Sequence, residues 1–156
     1  MDKVLAAFGN VRALERNHVD TITEKSIQNI PGIKIAESSD GQIWTSSQNL
    51  AGYYFLNTTV LSHSNIKTTK GSKLMFCDGQ SIFMISSDND EIQSDFSNIS
   101  KCWITKISYI INKEQLKNIK KNNIKKIKLC YKKKTLVFFG NLHNKDLSVL
   151  TPRLIQ

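Results

Sequence analysis

The chain of 156 residues holds only two prolines, seven glycines and three cysteines. Each scarcity excludes something. With so little Pro and Gly the chain is neither collagen-like nor a low-complexity linker. Cys77, Cys102 and Cys130 are odd in number and widely spaced, which argues against a disulfide framework. Each stands in an apolar strand-like stretch and reads as a small, mostly buried hydrophobe. Cys130 fits that reading least, because strict alternation puts it on the face of Lys126 and Lys128.

The glycines do not cluster, so no phosphate-cradling loop is present, and no G-x-S-x-G elbow either. His18, His63 and His143 lie far apart, without an H-E-x-x-H pair. A nucleophile pair would have to join Cys77 or Cys102 to His63 across distant positions. No run reaches the roughly 20 apolar residues of a membrane span. "MDKVLAAFGN" meets a polar residue too early for a leader peptide. A cytoplasmic or virion protein is the expectation, although a secreted chain given a starting Met in place of its leader would read the same.

Acidic charge is scarce beyond residue 100. Residues 101–156 carry fourteen basic residues against two acids, whereas residues 1–100 carry eight against eleven. The net +9 therefore comes wholly from the C-terminal part. Its densest stretch is "KEQLKNIKKNNIKKIKLCYKKK", with Lys113, Lys117, Lys120, Lys121, Lys125, Lys126, Lys128, Lys132, Lys133 and Lys134 beside one carboxylate, Glu114. Arginine is nearly absent there. Lysine binds phosphate as a point charge and lacks the fork that reads base edges, so sequence-specific nucleic-acid recognition is not indicated. Trp103, Tyr109 and Tyr131 could stack bases in principle, but they share strand faces with Ile and Leu and read as core.

What is present is organised by periodicity. Residues 2–16 form an amphipathic helix whose apolar face carries Val4, Leu5, Phe8 and Val11, an assembly face if it docks on a partner. Pro31 closes any helical turn at Ile30. From Gly32 the texture is β: a strand, an Asp40-Gly41 turn and a second strand, then Tyr53–Leu61, then two apolar runs around Asp78-Gly79, a strong hairpin signal. "SDNDEIQSDFSN" reads as an acidic loop. Its Asp88, Asp90, Glu91 and Asp95 fail as a calcium loop, because Gln93 stands where the sharp turn needs Gly and Ile99 where the closing Glu belongs. "CWITKISYII" alternates. Asn112 and Gln115 form a capping box for a short helix, Lys113 to Lys121, with Leu116 and Ile119 facing inward. "IKKIKLCY" and "TLVFFG" make a last hairpin.

Residues 72–139, with the "DG" hairpin, the "DNDEIQS" loop and "NKEQLKNIKKNNIKKIKL" leading into a lysine-rich hairpin, resemble small uncharacterised bacterial α+β domains. The resemblance implies a fold type and no activity. The expected architecture is α+β: an antiparallel sheet of hairpins, an N-terminal helical arm over 1–30, and one short helix in the C-terminal half of a single domain over 31–156. The expected function is non-catalytic, without cofactor or metal. It is that of a binding or assembly protein, a structural or accessory component of a larger bacterial or phage complex. Its expected partner is another protein, an acidic one being the natural match, or a second copy of the chain. Non-specific nucleic-acid binding through the 113–134 face is the alternative.

Overall fold

The computed structural model describes the backbone of residues 2–79, 82–121, 124–140 and 153–155, and the side chains of 14–16, 18–79, 82–119 and 124–140. Helix α1 runs Asp2–Gln28, followed by β1 Ile33–Ser38, β2 Gly41–Leu50, β3 Tyr53–Ser62, β4 Ser72–Cys77, β5 Ile82–Ser86, β6 Ser94–Ser97 and β7 Cys102–Ile111. Helix α2 spans Lys113–Lys121, then come β8 Lys126–Tyr131, β9 Lys134–Gly140 and β10 Arg153–Ile155. The strands build one sheet in the order β5-β4-β8-β9-β1-β2-β3-β7-β6, with β10 parallel to the end of β2.

This corrects the expected α+β class. The fold is mostly antiparallel sheet, curled into a half-barrel. The physical reason lies in the core. Among the described residues its helical members are Leu116 and Ile119 of α2; the rest come from strands and the segments joining them. Helix α1 adds none of its described side chains. It runs on to Gln28, well past the expected helix of residues 2–16. The side chains of Val4, Leu5, Phe8, Val11, Lys120 and Lys121 lie outside the described residues.

The strands largely keep the two-residue period, with a bulge in β1 that leaves Ile35 and Ala36 both buried. Ile43, Thr45 and Ser47 of β2 are buried opposite Val60, Thr58 and Leu56 of β3, and β3 in turn meets Thr105, Ile107 and Tyr109 of β7. On the other wing Leu74 and Phe76 of β4 pair with Leu129 and Ile127 of β8, which pair with Leu136 and Phe138 of β9. The curl brings the two wings together. Ser87, just after β5, bridges to Tyr109 of β7, and the Asp88 amide donates to the Ser108 carbonyl at 2.7 Å. Inside, the Tyr109 and Ser72 hydroxyls share a buried hydrogen bond of 2.7 Å, and burial raises the Tyr109 phenol far above its ordinary pKa. The capping box of α2 is formed as the spacing predicts, with the Gln115 amide donating to Asn112 Oδ1 at 2.7 Å and the Asn112 amide to Gln115 Oε1 at 3.1 Å. The expected acidic loop is partly structured: Ile92 is buried and bridges Thr68, and "SDFS" is strand β6 against β7.

The last third of α1 docks outside β6 and β7. Ile104, on the outer face of β7, is buried there, near Ile22, Thr23 and Ser26. Glu24 anchors the contact: Ser100 Oγ donates to its carboxylate at 2.6 Å and Ser97 Oγ at 2.8 Å. These bonds hold its carboxyl below the ordinary value. A lowered folded pKa means the anchoring is complete above the unfolded value and is lost as pH falls through the folded one. Hydrogen exchange over residues 20–28 should therefore quicken on acidification, and Glu24→Ala should give that fast exchange already at neutral pH. Protection that ignores both pH and the substitution would refute the anchor.

Candidate binding surface

The outer face of the wing β5-β4-β8-β9 follows from strand register. Side chains pointing away from the core lie in three rows across the strands. Ile82, Cys77, Lys126 and Phe139 form the first; Met84, Met75, Lys128 and Val137 the second; Ser86, Lys73, Cys130 and Thr135 the third. The first two rows are apolar apart from their lysines. Ile82 is 62% exposed, Met84 45% and Phe139 56%. The third is tied by sulfur contacts, with Cys130 Sγ donating to Met75 Sδ and Thr135 Oγ1 to Cys130 Sγ, both at 3.8 Å.

An antiparallel sheet with one wet face normally alternates apolar and polar residues. Here the face turned from the core remains largely apolar. Lys126 and Lys128 are half-buried in it, each flanked in its row by apolar residues. Among the described residues the one ion pair within 4.0 Å is Lys34–Glu37 at 2.9 Å, so the described lysines of the basic segment have no carboxylate partner.

The structure divides the ten sequence-predicted lysines. Lys126 and Lys128 sit within the apolar face. Lys125 is exposed beside it, and its amide donates to the Cys77 carbonyl at 3.0 Å. Lys132 and Lys133 form the β8–β9 turn and Lys134 opens β9, all exposed, with Lys132 at φ 52°. Lys113 and Lys117 stand on α2, a separate element, and also face solvent.

The candidate stacking aromatics are taken up elsewhere. Tyr109 and Tyr131 are buried, and Trp103 packs on Phe96 with ring centroids 4.9 Å apart. Asp88, Asp90, Glu91 and Asp95 do not gather, and no group of three His, Cys, Asp or Glu side chains suited to a metal ion occurs among the described residues. Cys77 and Cys102 lie on opposite wings of the sheet. All three thiols are half-buried rather than mostly buried, and burial pushes the Cys102 thiol up, with the charge of Glu24 adding to it, away from a reactive thiolate. No described helix is long and apolar enough to cross a membrane.

Sequence reasoning missed Ile82, Met84, Met75 and Phe139 as surface residues. The signal available was the excess of apolar residues in "KLMFC", "IFMI" and "VFF", where both strand faces cannot be core. No family model matches the chain, and neither a curated protein nor a solved structure is significantly similar to it.

Proposed function

We propose that the protein is a non-catalytic binding or assembly component, and that its main contact surface is the outer face of β5-β4-β8-β9. The observation that carries this is the exposed apolar patch of Ile82, Met84 and Phe139 enclosing two lysines that have no carboxylate partner among the described residues. Such a surface suits a protein segment with apolar side chains to fill the rows and acidic groups to meet Lys126 and Lys128. The apolar contacts would supply affinity and the lysines would steer encounter and fix register. A role within a larger bacterial or phage assembly fits this surface. Leu14, Val19 and Ile22 on α1 are also exposed and give an assembly a second point of attachment.

Nucleic-acid binding is the competing reading. It rests on the lysines alone, since two of its candidate stacking aromatics are buried and the third packs on Phe96. Size exclusion with light scattering separates the two. Complexes from the source cell, treated with nuclease, should persist at high salt and be lost in a Met84→Asp/Phe139→Asp variant. Binding that needs intact nucleic acid, falls steeply with salt, and disappears in Lys125→Glu/Lys126→Glu/Lys128→Glu would overturn the proposal.

A further inference from the structure

At the end of the wing where β4 begins and β8 finishes there is an open cavity of about 490 Å³. Three lysines from three segments line it: Lys70 before β4, Lys73 on β4 and Lys132 in the β8–β9 turn. Ser86, Tyr131 and a single carboxylate, Asp90, complete the functional lining.

The wall is built rather than incidental. The Gly71 amide donates to the Asp90 carbonyl at 2.7 Å, and Gly71 takes φ +73°. Any Cβ there would stand 2.8 Å from Ser87 Oγ. Ser87 Oγ accepts from the Ser72 amide at 3.0 Å and donates to the Asn89 carbonyl at 2.8 Å. Loop 86–90 is thereby fixed against the start of β4. None of the three lysines has a carboxylate within 4.0 Å among the described residues.

The charges decide the ligand class. Three ammonium groups against one carboxylate leave an excess of about two positive charges, which matches the roughly −1.5 to −2 of a phosphate monoester better than a singly charged carboxylate. The volume lies within the usual range of small-molecule sites, about 300–1,000 Å³, and exceeds what a bare phosphate needs. We propose that this cavity binds a small phosphate monoester, held by Lys70, Lys73 and Lys132. The cavity adjoins the outer face and shares Lys73, Ser86 and Cys130 with its third row, but its lysine cluster does not rest on the protein contact proposed there.

The test titrates inorganic phosphate and ribose 5-phosphate into the full chain at fixed ionic strength, read by calorimetry and by the amide signals of residues 70–73 and 86–90. Saturable one-to-one binding is expected. Lys73→Gln/Lys132→Gln should weaken it about tenfold or more, whereas Lys113→Gln/Lys117→Gln, with the same change in net charge, should stay within about twofold. Tighter binding of ribose 5-phosphate shows that the sugar enters the cavity. Equal binding shows that the phosphate group alone is read. Both support the site. No saturation by either ligand at millimolar concentration, or equal losses in the two lysine pairs, refutes it.

Discussion

Replacing Gly41 by alanine should destabilise the fold by roughly 3 kcal/mol or more, a large part of the about 5–15 kcal/mol typical of a domain. Gly41 opens β2 at φ +143°, where a side chain is strained by about 1–3 kcal/mol. A Cβ there would also sit 1.8 Å from the Leu61 carbonyl oxygen and 2.9 Å from the Ser62 Cα, both backbone atoms of the neighbouring strand. Relief would require parting β2 from β3 at one end of their ten-residue ladder. The control is Gly52→Ala. Gly52 also has positive φ, +86°, but a Cβ added there would meet nothing within 4 Å, so only the left-handed strain of about 1–2 kcal/mol applies. Urea denaturation of both variants checks the difference. Equal losses would mean that the strand contact at Gly41 is not tight.

The same hairpin shows what could be read from sequence. Asp40-Gly41 and Asp78-Gly79 announce their turns, because Gly supplies positive φ and Asp favours turns. The β2–β3 turn was less legible. It places Ala51 at φ 52° before Gly52, and an alanine in that conformation carries no turn signature. Asn49 Oδ1 accepts from the Gly52 amide at 3.1 Å and helps hold it. The α2 cap was legible because both partners lie within four residues. Pairings between distant segments were not. β4 meets β8 and β1 meets β9 across long stretches of chain, and Ser87 closes on Tyr109; no local pattern encodes any of these. Counting helices therefore suggested α+β, although no described side chain of α1 joins the core and α2 supplies it with Leu116 and Ile119 alone. The candidate face suffered likewise. Its lysines were visible as a run, but its apolar rows exist only once four strands are aligned. The convergence of Lys70, Lys73 and Lys132 is a product of the fold in the same way.

Phe138 and Phe139 give the sharpest test of that division, since they are neighbours on β9 with opposite fates. Phe138 is fully buried, at 0% exposure, opposite Ile127 in the core. Truncation to alanine removes most of an aromatic side chain and leaves a cavity, so a loss of about 3–5 kcal/mol is expected. Phe139 points outward between Lys126 and Glu37. Its truncation should change stability by no more than about 0.5 kcal/mol, as for surface sites without special contacts. Partner binding should respond in the opposite order. If the outer face is the contact surface, Phe139→Ala removes a large exposed anchor and weakens association about tenfold, equivalent to about 1.4 kcal/mol. Phe138→Ala, under conditions where it stays folded, should bind nearly as the native chain does, because its side chain never reaches the surface. Denaturation midpoints and binding isotherms for the two variants separate these roles. A Phe139→Ala protein that is both stable and fully competent to bind would move the interface off this face and leave the exposed apolar side chains of α1 as the next surface to test.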